Sequence, residues 1–452
     1  MIIVSLSLAW IIMAALFEVR RKKSFYPVDF LSIINVLFIL NFAFPPIGMA
    51  FFATYEQSLA GIFNGKFHLS GGSIPATLLA FTAHIVMASV YAFVVSWRSM
   101  YRQRLGHFSD LTARLHRVDL GLVFLIVGAL GVLSFYVYAQ SLGGFQKMWD
   151  LSFHLRASYV TAKYGFLKII AIVLVPSFYL AFSQIFDAKG YAKIIWSVGT
   201  VIMGALAGFL LIHDGSRLFI VILVLTPILA LFSWKEKWFY YAVPSALIAI
   251  TSFYVVADNI FNTAVLGPAY AVDVFSQNTN MTSQISSKFS RLLSEFGFPY
   301  VVLSTYIDLV PDTVGYRYLN DLYNGFIVLM PSFLVGADPE YILDINRIVF
   351  DAENPIDLLS FGYVGFGLVG SFVVVVIFGT VIAACDGFFA NAKSFFDIII
   401  RTAFLLQIPW LLMYGDPVNG VKRVFATSMM FALIMVFVAF RTYRSNRKET
   451  DL

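Results

Sequence analysis

The chain has 452 residues, 60% of them hydrophobic and 13% charged, with a mean hydropathy of +0.81. Soluble domains average roughly 45–50% apolar and about 25% charged, so the composition excludes a soluble globular protein and points to a polytopic membrane protein. The net charge of +5 comes from short basic clusters between apolar runs, which argues against nucleic acid as a partner, and the single cysteine, Cys385, excludes an internal disulfide.

A bilayer core needs about 20 apolar residues per helix. Eleven runs meet that need: 2–19, 29–52, 75–97, 120–140, 166–185, 194–212, 218–234, 238–257, 359–382, 395–414 and 424–441. The first has no basic residue before it and no small-residue cleavage site, so it reads as a retained helix and not as a signal peptide. Pro45-Pro46 mark a break in the second. Odd-to-even connections, such as Arg20, Arg21, Lys22 and Lys23 after the first run, carry 18 of the 31 Lys and Arg, against 11 on the opposite side. The positive-inside rule then puts the N-terminus outside and the C-terminus in the cytoplasm. Trp97, Trp234 and Trp238 stand beside cytoplasmic basic clusters as interfacial anchors. The organisation expected is eight helices in 1–257, a large periplasmic loop over 258–358, and three helices with a basic tail in 359–452.

The loop 258–358 carries twelve carboxylates against four basic residues, Lys288, Arg291, Arg317 and Arg347. Within it, 283–296 places Ile285, Phe289, Leu292, Leu293 and Phe296 at helical spacing, an amphipathic helix. Pro299, Pro311, Pro331, Pro339 and Pro355 cut the rest into short pieces. There is no nucleotide loop, no His or Cys cluster, and the acids of 351–357 lack a calcium-loop pattern, so neither a metal nor a cofactor is expected.

Arginines stand on the outer side, where the positive-inside rule does not ask for them: Arg156, Arg217, Arg291, Arg317, Arg347 and Arg423. In LIHDGSRLFI (211–220), Arg217 opens a helix after Gly215 and Ser216, and Arg423 opens the last helix. Guanidinium groups bind phosphate or carboxylate through a fixed fork of donors, and helix N-termini add to the attraction for an anion. A pyrophosphate at the outer surface suits the set. Each arginine also suits a lipid head group or a nearby acid, Asp214 for Arg217 and Asp416 for Arg423. Glu295 and Asp308 stand apart among the acids, because a carboxyl beside apolar surface gains proton affinity and can serve as a base. His154, two residues before Arg156, is a further base candidate. His84 is the one histidine at membrane depth, a position that marks function by default.

Four pieces together resemble the bacterial O-antigen and enterobacterial common antigen polymerases. They are GSRLFIVILVL, the stretch SEFGFPYVVLSTYIDLVPDTVGYRYLNDLYNGFIVLMPSFLVGADP, the glycine-rich helix PIDLLSFGYVGFGLVGSFVVVVIFG, and Arg423 opening the final helix. The loop around Arg156 departs from one pattern of some family members, an arginine followed by ten residues and a glycine, since Gly165 comes after only eight. The resemblance implies a metal-independent, GT-C-like inner-membrane glycosyltransferase of lipopolysaccharide biosynthesis. It would polymerise undecaprenyl-pyrophosphate-linked oligosaccharide units at the periplasmic face, with membrane lipids and a chain-length regulator as further partners. Arg156, Arg217, Arg291, Arg317 and Arg423 would then hold pyrophosphate or glycan, Glu295, Asp308 or His154 would act as base, and Tyr306, Tyr316, Tyr318 and Tyr323 would offer stacking surfaces. The rival readings are an O-antigen ligase and a lipid-linked oligosaccharide flippase or other transporter.

Overall fold

The computed structural model describes residues 2–21, 28–63, 72–100, 108–113, 115, 117–151, 164–214, 217–235, 281–330, 340–350, 355–390, 392 and 394–450. Every regular element among them is helical. In chain order they are α1 (Ile2–Arg20), α2 (Phe30–Phe38), a π-turn (Ile39–Ala43), α3 (Phe44–Phe51), α4 (Ala53–Ile62), α5 (Ser73–Met100), α6 (Phe108–Thr112), α7 (Arg117–Ser141), α8 (Phe145–Asp150), α9 (Gly165–Ala171), α10 (Leu174–Asp187), α11 (Tyr191–Asp214) and α12 (Arg217–Trp234). Then follow α13 (Met281–Leu309), α14 (Asn320–Leu329), α15 (Ile342–Phe350), α16 (Leu358–Phe388), α17 (Phe395–Gln407), a 3-10 turn (Ile408–Leu412) and α18 (Pro417–Thr450).

Among the described residues eight helices are long and apolar enough to cross a membrane: Ile2–Arg20, Phe30–Phe51, Ser73–Trp97, Asp119–Ser141, Gly165–Asp187, Tyr191–His213, Leu358–Phe388 and Phe395–Leu412. Phe219–Trp234 and Val424–Phe440 are shorter apolar helices. The chain is therefore an all-α multi-pass membrane protein. The expected run 238–257 lies outside the described residues, as do 258–280, 331–339 and 351–354 of the long loop.

The chain divides into two compact units, one of residues 1–105, 282–390 and 407–423, the other of 106–281, 391–406 and 424–452. In the second, glycines let helices approach: a Cβ on Gly131 would sit 2.9 Å from Leu174, and one on Gly204 would sit 3.1 Å from Phe178. Phe182, Phe186, Trp234 and Phe395 form a continuous aromatic cluster, and Thr112 donates to Asp397 at 2.7 Å.

In the first unit, α13 departs from expectation. The sequence spacing ends an amphipathic helix at 296, yet α13 runs through Pro299 to Leu309. Proline removes one helical hydrogen bond, and burial of Phe298, Tyr300, Val301, Val302, Leu303 and Tyr306 offsets that cost. Fully burying a large apolar side chain is worth about 1.5–3 kcal/mol. Phe296 and Phe298 pack on Trp410 and Tyr414.

The expected span 359–382 falls within α16, which is not one straight helix. α16 breaks at Phe366 (φ −144°, ψ 25°) and Gly367 (φ 64°, ψ −147°), the second a conformation that essentially only glycine adopts. The two arms fold onto each other: a Cβ on Gly362 would lie 2.7 Å from the Gly370 carbonyl, and the Ser371 hydroxyl donates to the Leu359 carbonyl at 2.9 Å. Asp357 caps the first arm, accepting from the Leu359 and Ser360 amides at 2.9 and 3.0 Å and from the Ser360 hydroxyl. The second run does not break at Pro45-Pro46: Phe30–Phe51 is one continuous helical span, with a π-turn at Ile39–Ala43 just before the two prolines.

Candidate functional site

The first arm of α16 ends with carbonyls that have no helical donor, a condition every helix C-terminus must resolve. Here the amides of Arg317 and Tyr318 donate to the Val364 and Gly365 carbonyls at 3.0 and 3.1 Å. That pairing fixes the loop between α13 and α14 against the break, with Tyr318 held at φ 50°. The rings of Tyr316 and Tyr318 lie 6.2 Å apart, and Tyr318 meets Phe366 edge-on at 5.6 Å. All three are exposed, at 37%, 59% and 45%. An aromatic step therefore projects from the break.

Beside it, Arg317 is fixed by a charged network. Its Nε donates to Asp321 at 2.6 Å, its Nη1 to Glu340 at 3.3 Å and its Nη2 to the Glu340 carbonyl at 3.3 Å. A guanidinium has five N–H donors, so among the described residues two remain for a ligand. Asn324 also donates to the Glu340 carbonyl, at 2.8 Å. Arg317 keeps its charge firmly: burial opposes it, but the hydrogen bond and the nearby carboxylates outweigh burial and raise its proton affinity. Asp321 is 4% exposed and its Oδ1 has no hydrogen-bond partner among the described residues. Burial, exceeding the pull of Arg317, holds its carboxyl above the ordinary range. A carboxyl with raised proton affinity, already touching a cation, has the properties of a general base beside an anion site.

The network continues behind Glu340. The Tyr341 hydroxyl donates to Asp416 at 3.0 Å, and Asp416 accepts from the amide and side chain of Asn419, both at 2.9 Å, which caps the start of α18. Gly325 lies against Pro417 and Tyr341, where a Cβ would come within 3.0 and 3.3 Å. Tyr341 is raised in pKa by burial and by the Asp416 charge.

The sequence candidates separate under this geometry. Arg317 is at the centre, with Tyr316 and Tyr318 beside it. Tyr306 is not a stacking surface: it is fully buried and its hydroxyl donates to Asn346, because α13 turns that face inward. Asp308 is exposed, and Gly72 packs against its carboxylate and the Ser304 carbonyl. Glu295 is half-buried on α13. His154 and Arg156 lie outside the described residues, as do the side chains of Arg217, Arg291 and Arg423. In the HDGSR motif, His213 is buried at the end of α11, with its Nε2 3.2 Å from the Tyr138 hydroxyl.

His84 belongs to a different structure in the same unit. The Trp10 indole donates to its Nδ1 at 2.8 Å, and its Nε2 faces Asn35 Oδ1 at 2.8 Å. Asn35 donates to Glu18 at 2.8 Å, and Arg21 binds both Glu18 and Asp29. Indole nitrogen only donates, so Nδ1 is the acceptor, Nε2 carries the proton, and the chain of hydrogen bonds stops at Trp10. It ties α1, α2 and α5 together and relays no proton onward.

Sequence reading did not single out Asp321, Glu340, Tyr341 or Asp357. Two signals were present: the four-residue spacing of Arg317 and Asp321, and an Asp-x-x-Ser cap before an apolar run at Asp357. Comparison with protein-family models, with characterised proteins and with solved structures finds no match to this chain. The resemblance to the repeat-unit polymerases therefore rests on the motifs quoted above alone.

Proposed function

We propose that this protein is a bacterial inner-membrane glycosyltransferase that polymerises undecaprenyl-pyrophosphate-linked oligosaccharide repeat units into O-antigen-type surface polysaccharide at the periplasmic face. The observation that carries the reading is the guanidinium of Arg317, with donors to spare and a buried carboxyl at its side, set next to the exposed Tyr316, Tyr318 and Phe366. Sugars are bound by rings that cover their C–H faces and by planar polar groups that meet their hydroxyls, and a pyrophosphate leaving group needs cations.

On this reading the donor's anomeric C–O bond to pyrophosphate breaks while a hydroxyl oxygen of the acceptor unit bonds to that carbon. The transition state has oxocarbenium character. The acceptor's proton passes to a base, and the negative charge arriving on pyrophosphate is met by arginine. Asp321 joins Glu295, Asp308 and His154 as a candidate for the base, because it touches arginine and burial raises its proton affinity. Arg156, Arg217, Arg291 and Arg423 are assigned with Arg317 to the pyrophosphate and glycan. The N-terminus is periplasmic and the C-terminus cytoplasmic.

The test is glycan banding in a strain lacking the gene, complemented at equal membrane level with wild type, Arg317→Ala, Asp321→Asn or Arg217→Ala. The expected result is loss of the polymer ladder with single repeat units still displayed. An unchanged ladder with Arg317→Ala removes this site from the reaction.

A second reading, a lipid-linked oligosaccharide transporter, has one structural observation in its favour. Transporters use interrupted helices, and α16 is interrupted. Loss of the single repeat units along with the ladder would favour that reading, or a ligase.

A further inference from the structure

Asn41 is fully buried in the second membrane span, and neither its Nδ2 nor its Oδ1 has a hydrogen-bond partner among the described residues. Its backbone carbonyl is no better served. In a helix a carbonyl accepts from the amide four residues on, and in a π-turn from the amide five residues on. For Asn41 those positions are Pro45 and Pro46, and proline has no N–H. The Leu40 carbonyl shares the problem: the Phe44 amide donates instead to Ile39, and the next residue is Pro45.

A second buried group without a partner lies at the same depth. Ser7 on α1 is fully buried, and its hydroxyl has no partner among the described residues. Trp10 packs on Phe38 with ring centroids 6.4 Å apart, and Arg21, just after α1, binds Asp29, the cap of α2. Ser7 stands one turn before Trp10, and Asn41 one turn beyond Phe38. The hydrogen-bonded chain through His84 ends at Trp10, whose indole can only donate, so it does not serve this level.

We propose that the π-turn holds ordered water, bound by the Asn41 carboxamide, the Leu40 and Asn41 carbonyls and the Ser7 hydroxyl. The occupant must donate to three carbonyl oxygens and also accept from the Asn41 amide. One water has two O–H donors, so a pair of waters does both, and ordered water is one of the ways a proline-interrupted helix within a bilayer restores its backbone hydrogen bonding. A monovalent cation would meet the oxygens and leave the amide N–H without an acceptor. The water stands in for the missing amide donors and gives the second span a wet bend inside the unit. The inference does not rest on the proposed enzymatic function.

The test is X-ray radiolytic footprinting of the full-length protein in lipid nanodiscs, where radicals born from bound water modify neighbouring buried side chains. Phe42, next to Asn41, is expected to be labelled several-fold faster than Phe30 and Phe63, which are equally buried. Asn41→Leu, and the milder Ser7→Ala should the first not fold, are each expected to bring Phe42 down toward that background. The thermal midpoint is expected to be the same in sodium and choline chloride. Phe42 labelled no faster than Phe30 and Phe63 in the wild type overturns the proposal, as does a sodium-dependent midpoint, which would assign the site to a cation.

Discussion

Asp357 joins burial, capping and titration in one side chain. It is fully buried, and burial pushes its carboxyl up to about 7 despite the hydrogen bonds from Leu359 and Ser360. In the unfolded chain it titrates near its ordinary value of about 3.9. The folded state therefore holds a proton that the unfolded state releases, and stability present below about pH 4 is lost as pH rises through about 7. The thermal midpoint in detergent should fall between pH 5 and 8, and in Asp357→Asn, which keeps the capping oxygen, this part of the slope should vanish. An unaltered slope in the variant would detach Asp357 from the effect. Arg317 and Asp321 make a second expectation at this scale. Removing one member of a well-buried pair costs about 3–5 kcal/mol. A carboxyl already inclined to hold a proton softens that loss, so Arg317→Ala should cost about 2 kcal/mol or more. The double variant with Asp321→Asn should recover part of it, and strict additivity in thermal unfolding would argue against coupling. Sequence made Arg317 visible through charge placement. Asp321 was hidden among twelve loop carboxylates because its burial comes from the folded packing around α14, which the local sequence does not reveal.

The hairpin within α16 shows what element-level reading captures and what it misses. Apolar length predicts a span over 359–382, and apolar residues do fill that stretch. Hydropathy carries no sign of a reversal, since both arms are equally apolar, and the glycines read as helix packing positions. What distinguishes the structure is the placement of Gly362, Gly367 and Gly370 around the break. Gly367→Ala puts a side chain at φ 64°, ψ −147°, which costs about 1–3 kcal/mol, and its Cβ would meet the Tyr316 hydroxyl at 3.1 Å. Ser371→Ala removes one hydrogen bond, worth about 1 kcal/mol. The expected order of thermal destabilisation is thus Gly367→Ala ahead of Ser371→Ala. Gly367→Ala should also loosen the Arg317–Tyr318 loop, which hydrogen-bonds to the end of the first arm. If Gly367→Ala leaves the midpoint unmoved, the break is not maintained. Pro299 misled the reading in the opposite direction. A proline argues for a stop, but packing of the turns on either side carried α13 through.

At the scale of the whole molecule, the membrane character follows from composition with little ambiguity, because 452 residues at a mean hydropathy of +0.81 cannot form a water-facing surface. The sidedness of the site is a stricter matter, and the proposed chemistry depends on it: under that proposal, lipid-pyrophosphate repeat units would be joined only where Arg317 and the step of Tyr316, Tyr318 and Phe366 meet them. The distribution of Lys and Arg, 18 against 11, predicts that the loop bearing Arg317 is periplasmic and the tail after Phe440 cytoplasmic. The native chain allows a clean experiment, since Cys385 is its single cysteine. In a Cys385→Ser background, Glu340→Cys places a thiol at an exposed position beside Arg317, where the Glu340 side chain is 70% exposed, and Ser445→Cys places one in the tail. A membrane-impermeant maleimide added to intact spheroplasts should label the first and spare the second, and inside-out vesicles should reverse the pattern. Labelling of Glu340→Cys from the cytoplasmic side alone would put the aromatic step where no periplasmic polymerisation could use it. The proposed function would then fail even if Arg317 proved essential.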